Sequence, residues 1–178
     1  MVMTADRECG LRRSLLSSLA TVVLAVLLGC ASSGPPPPSS PSPLLGQPLP
    51  GLRGLTLSGE RIAPESLQDR VVVIKFFAKY CEPCTRTLPA AQRIHQRRGE
   101  VLFIGVSEDE RASEAEEIAR LYGLTFPVVH DRSNVLAGKF RVNELPVTFV
   151  SDRRGKIHHV LGPEQGEDAL ERVLDSLQ

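Results

Sequence analysis

The chain has 178 residues, no net formal charge, few aromatics and no tryptophan. That balance excludes a partner held mainly through phosphate contacts, so no nucleic acid is expected. The length suits one domain, and two segments at the start are unlike a globular core.

Residues 1–29 are predicted to be an export signal. Arg12 and Arg13 close a short polar segment, and an apolar run follows from Leu15 to Leu28. It is short for a bilayer span, which needs about 20 apolar residues, and fits a signal h-region. The run ends in Leu27-Leu28-Gly29-Cys30, which resembles the lipobox of bacterial lipoproteins. The resemblance implies cleavage before Cys30 and a diacylglycerol on its thiol, hence a membrane attachment through lipid. Ala31, rather than Asp, after Cys30 favours the outer membrane over the inner by the same resemblance. Residues 30–46 are then a Pro/Ser-rich tether, with Pro35 to Pro38, Pro41 and Pro43. Such a segment extends by about 3.1 Å per residue in polyproline II geometry.

Residues 47–178 form the expected folded domain. Leu52–Leu57 and Glu60–Ile62 pattern as a hairpin around Ser58-Gly59. Pro64–Leu67 reads as one helical turn. Val71–Phe77 is a near-continuous apolar run rich in β-branched residues, a strand covered on both faces. Glu82–Arg97 is predicted as a helix, Val101–Val106 as a second buried strand and Arg111–Tyr122 as an amphipathic helix stopped by Gly123. A short strand at Phe126–Val129 and a short helix at Ser133–Phe140 follow. Val147–Ser151 and Lys156–Leu161 pattern as an antiparallel hairpin, and Gly166–Leu177 as a closing helix. The order gives an α/β fold with a mixed central sheet flanked by helices.

Of four cysteines, Cys9 falls in the signal and Cys30 at the lipobox. Cys81 and Cys84 remain, spaced C-x-x-C. A bridge across so short a loop stabilises weakly. A zinc site would want a second pair of ligands, and no second C-x-x-C or H-x-x-x-H is present. Redox exchange explains the pair better. Cys81 stands where the central strand gives way to a helix, where free N–H groups and the helix dipole favour a thiolate. Cys84, one turn on, can resolve a mixed disulfide. Glu82 and Pro83 fill the gap, and Pro is well placed early in a helix. His95, His130, His158 and His159 are scattered, and no metal or cofactor is expected. The charges at Glu108, Asp109 and Glu110 read as complementing the dipole of the helix that follows.

The segment Phe76-Phe77-Ala78-Lys79-Tyr80-Cys81-Glu82-Pro83-Cys84, with Pro89 five residues on, resembles the thioredoxin active site. Leu145-Pro146-Val147-Thr148-Phe149 resembles the loop whose cis-proline faces the disulfide in that family. The long interval between them and the N-terminal hairpin are similar to TlpA/ResA-type exported thioredoxins. The resemblance implies a thioredoxin-like fold with an inserted strand-helix unit, a redox-active Cys81–Cys84 disulfide, and a reductant of disulfides in exported proteins. It implies a monomer facing the periplasm, fed by a membrane electron-donor protein. Substrate contacts fall to Phe77, Tyr80, Glu82, Pro83 and Leu145.

Two positions depart from the pattern. Lys75 stands six residues before Cys81, where thioredoxin has a buried acid that helps deprotonate the second cysteine. Thr87 stands where some ResA-type proteins carry an acid. Lys75 is therefore a candidate catalytic residue, either as a neutral base toward Cys84 or as a cation beside a thiolate, or else it snorkels to water. Two other functions share the fold. A thiol peroxidase needs Thr or Ser three residues before its cysteine, and Ala78 precedes Cys81 at that spacing. A copper-delivery module would use C-x-x-x-C with a distant His, although Cu(I) accepts paired thiolates.

Overall fold

The computed structural model describes residues 42–177. The expected signal, Cys30 and most of the tether lie outside the described residues. A small antiparallel pair, β1 (Gly54–Leu55) and β2 (Arg61–Ile62), opens the domain, and a 3-10 turn follows at Pro64–Leu67. The main sheet is built from β3 (Val72–Phe77), β4 (Leu102–Ser107), β5 (Val128–His130), β6 (Val147–Ser151) and β7 (Ile157–Leu161). Its order is β5-β4-β3-β6-β7. β4 and β5 run parallel to β3, β6 runs antiparallel to β3, and β7 runs antiparallel to β6. The helices are α1 (Cys84–Arg97), α2 (Ala112–Leu121), α3 (Val135–Phe140) and α4 (Glu167–Asp175). This is the mixed α/β architecture expected from the order of elements.

Each residue of β3 is buried, because the sheet is covered on both sides. Alternation along the strand divides the core. Val73 and Phe77 join Leu88, Ala91 and Ile94 of α1 and Leu170, Val173 and Leu174 of α4 on one face. Val72, Ile74 and Phe76 pack with Phe140 and Phe149 on the other. There the ring of Phe76 lies 5.2 Å from Phe140 and 5.9 Å from Phe149. Such aromatic pairs add about 0.5–1.5 kcal/mol each beyond their buried area. On the outside, Arg93, Arg97 and Arg98 of α1 pair with Glu167, Glu171 and Asp175 of α4, fixing how the two helices lie together.

The chain joins the sheet ahead of residue 47. Gly46 N–H donates to the carbonyl of Ile157, Leu49 N–H donates to that of Gly155, and Leu44 packs against the core. Ile157 lies beside Ser151, which pairs with Val72 at the start of β3. The entering segment therefore meets the sheet at the end opposite to where β3 delivers Phe77. The five residue steps of β3 separate the two ends by roughly 17 Å.

His95 sits between the rings of Phe103 and Phe126, at 5.5 and 5.6 Å, and its Nδ1 is buried with no hydrogen-bond partner among the described residues. Burial holds its pKa below the ordinary histidine value. The unfolded chain therefore takes up a proton at a higher pH than the folded one. Stability conferred by the neutral ring is present above the unfolded pKa and falls as pH drops toward the folded one. Urea melts are expected to lose stability as pH falls below about 6.5, and His95→Leu is expected to flatten that loss.

Candidate active site

Lys79 and Tyr80 carry the chain from β3 to Cys81 in an exposed turn. Cys81 N–H donates to the carbonyl of Ala78, and Cys84 N–H to that of Cys81. α1 begins at Cys84 rather than at Glu82, with Pro83 as its N-cap. The entry is a tighter turn: the carbonyls of Cys81, Glu82 and Pro83 accept from the N–H groups three residues on, at Cys84, Thr85 and Arg86, so the chain enters α1 through 3-10-type bonds. Cys81 and Cys84 are joined as a disulfide with Cα atoms 5.3 Å apart. Cys84 N–H also donates to Sγ of Cys81 at 3.2 Å. A donor fixed on that sulfur favours its thiolate form. Both cysteines are buried, Cys84 more deeply at 2 % exposed against 6 % for Cys81.

The Leu145–Pro146 peptide bond is cis, as the resemblance implies. Pro146 precedes Val147, the register partner of Phe76, so the loop and the cysteine turn emerge at the same end of the sheet. Leu145 is half-buried and touches both core clusters. Tyr80 is 74 % exposed, and Glu82 is exposed with an i,i+4 ion pair to Arg86. Pro83 is half-buried.

Phe77 does not stand at the surface. The expectation that it forms a substrate wall is corrected: it is 0 % exposed. Its ring lies over Gly105 of β4, where a Cβ would come within 3.0 Å of it. The missing side chain on β4 lets Phe77 turn inward beneath the cysteine turn.

Lys75 is 5 % exposed, in the middle of β3. Its Nζ donates to Oγ1 of Thr148 at 3.2 Å. Burial lowers its pKa to about 7. It does not reach water by extending its stem. Thr87 is buried and its hydroxyl lies 3.5 Å from the carbonyl of Pro83.

The acidic run at the end of β4 does not simply complement the dipole of the helix that follows, as its charges suggest. Asp109 turns inward and is 2 % exposed. Its Oδ1 accepts from Lys79 N–H at 2.7 Å, and its Oδ2 from the Ser107 hydroxyl at 2.8 Å. His130 donates from Nε2 to the Asp109 carbonyl at 2.7 Å, and that acceptor requires the Nε2–H form of the ring. The residue thus clamps the strand end of β4 to the turn that carries Cys81. Glu108 N–H donates to the carbonyl of Phe77. Burial, and then Asp131, raise the pKa of Glu108. Burial raises that of Tyr80, followed by the charges of Glu108 and Asp109. The readable signal was Ser107-Glu108-Asp109, a hydroxyl and a carboxylate two apart immediately after a buried strand.

Comparison with known proteins agrees with this geometry. The chain is 29% identical over 126 residues to the thiol-disulfide oxidoreductase ResA of Geobacillus kaustophilus, covering 68% of this chain and 71% of that one. Among solved structures, a DsbF homologue from Corynebacterium diphtheriae matches with a TM-score of 0.68 at 24% identity, over 74% of this chain and 87% of that one. A thiol:disulfide interchange protein of the thioredoxin family from Chlorobium tepidum matches at 0.66 and 19% identity, over 79% and 98%. These neighbours establish a thioredoxin-like fold. The AhpC/TSA family model matches residues 45–160, a span that holds both cysteines, Lys75, Asp109 and Pro146, and the chain belongs to that family.

Proposed function

We propose that the protein is a thiol–disulfide oxidoreductase that reduces disulfides in exported proteins. The observation that carries this reading is the buried Cys81–Cys84 disulfide at a strand-to-helix turn, with a backbone N–H directed at Cys81 Sγ and the Pro146 loop at the same end of the sheet. In the reduced protein, the Cys81 thiolate attacks a partner's disulfide and forms a mixed disulfide. Cys84 then attacks Cys81, closes the pair and releases the partner as a dithiol. Tyr80, Glu82, Pro83 and Leu145 are the residues placed to touch the partner, whose extended backbone lies along the Pro146 loop. A membrane electron-donor protein restores the dithiol. No bound cofactor enters the exchange, and the protein acts as a monomer.

The signal-like segment that ends at Cys30 supports an extracytoplasmic setting. In this reading Cys30 carries lipid and fixes the protein to the outer membrane, facing the periplasm. Mass spectrometry of the mature N-terminal peptide is expected to find an acylated Cys30, and an intact, unacylated Met1 terminus would overturn the anchor. Equilibration of the full chain with glutathione tests the direction. A potential more negative than about −180 mV supports a reductant, and one near about −120 mV overturns it.

A further inference from the structure

We propose that Lys75 is the charge partner of the reduced pair: it takes up a proton when the disulfide opens, stabilises the thiolate, and so makes the couple more oxidising than the same fold with an uncharged residue there. This rests on the reading that Cys81 and Cys84 exchange disulfides. Alternation along β3 puts residues 73, 75 and 77 on the face covered by α1, and Cys84 is the first residue of α1. Lys75 has the hydroxyl of Thr148 as its one hydrogen-bond partner among the described residues. An ammonium has three donors. Two would be left bare in a dry site, a costly arrangement unless an anion appears nearby.

Among the described residues the surroundings supply no other anion. The β4 residue opposite Lys75 is Gly105, and the β6 residue is Thr148. β6 otherwise offers Val147, Phe149, Val150 and Ser151, none of which titrates near neutrality. From α4 the packed residues are Leu170, Val173 and Leu174, while its acids pair with the arginines on the outside of α1. On α1 itself the titratable groups turned inward are Cys84 and His95, the latter eleven residues along and held between Phe103 and Phe126. Burial is the sole cause of the lowered Lys75 pKa, with no carboxylate opposing it. Among the described residues, the charge that can appear on this face of the sheet is therefore a cysteine thiolate.

The step balances without any further reagent. A partner dithiol gives two electrons to the Cys81–Cys84 disulfide. That S–S bond breaks and the partner's forms. Of the two protons released, one bonds to Cys84 Sγ and the other to Lys75 Nζ, leaving Cys81 as the thiolate. Lys75 is a positioning residue in this step: it touches neither partner nor electrons and holds the proton that balances the sulfur's charge.

The test compares the full-length protein with Lys75→Met, similar in length and without charge, and with Lys75→Arg, which keeps the charge. Lys75→Met is expected to shift the glutathione equilibrium toward the disulfide by about tenfold, or about 30 mV. Its thiolate absorbance at 240 nm is expected to appear at higher pH. Lys75→Arg is expected to stay near the wild type in both. In the unmutated protein, the Lys75 Nζ resonance is expected to titrate at higher pH in the reduced than in the oxidised state, a measurement that holds even if a variant fails to fold. An unchanged potential and thiol titration in Lys75→Met, or a Lys75 titration indifferent to redox state, overturns the inference while leaving disulfide exchange intact. A wild-type pair that does not equilibrate with glutathione overturns both.

Discussion

Cys84→Ser is expected to arrest the protein as a mixed disulfide with its partner. Cys81 is the less deeply buried of the pair, it precedes α1, and its sulfur receives the Cys84 backbone N–H. These features give it the stabilised thiolate and the first attack. A serine at position 84 keeps that backbone donor, so the first step survives. It removes the second nucleophile, so the bond to the partner persists. Catalysed reduction of insulin is expected to fall to the uncatalysed background, while a covalent adduct accumulates that dissolves under dithiothreitol. Cys81→Ser is expected to abolish turnover without an adduct. Equal trapping by both variants, as read on non-reducing gels, would reverse the roles assigned to the two sulfurs.

Family membership does not carry peroxide chemistry to this site. A peroxidatic cysteine needs a hydroxyl three residues before it, and Ala78 is a buried methyl at that position. The exchange chemistry instead follows from two sulfurs one turn apart, and the spacing alone made that legible. The central strand was equally plain, because a run of β-branched residues with no polar break before Lys75 must be covered on both faces. The order of elements then carried the sheet.

What the sequence hid was register and direction. Which residue of β6 lies beside Lys75 depends on how β3 and β6 align, and Thr148 has no local mark that sets it apart. Phe77 was expected among the substrate contacts by resemblance to the thioredoxin active-site segment. The space that admits it is on β4, at Gly105, twenty-eight positions away in sequence. The start of α1 at Cys84 rather than Glu82 reflects the three-residue bonds that residues 84–86 make back to 81–83, which no single residue type announces. Asp109 was hidden by its neighbours, since three consecutive acids ahead of a helix satisfy a dipole argument whichever way each points. The helix they precede takes its first-turn acid from Glu114 instead.

Asp109→Ala accordingly separates a clamp from a surface charge. Its carboxylate takes one hydrogen bond from the backbone that leads into Cys81 and one from the end of β4, and water does not reach it. Truncation takes the acceptor from the Lys79 N–H and from the Ser107 O–H, although the Ser107 oxygen still accepts from the backbone N–H of residue 109. Hydrogen bonds to charged groups contribute about 1.5–3 kcal/mol each, and orphaned donors cost more than the bonds alone. A loss of about 3 kcal/mol in urea unfolding is expected, whereas a solvated dipole charge would cost a few tenths. The turn that holds Cys81 also loses its tie to β4, so insulin reduction is expected to slow with both cysteines unchanged. Asp109→Asn keeps one acceptor oxygen, which can serve Lys79 or Ser107 but does not carry the charge, and is expected to fall between the two. If Asp109→Ala melts like the wild type, the carboxylate is not a clamp, and the position of Cys81 must rest on the Cys81–Ala78 and Cys84–Cys81 turn bonds alone.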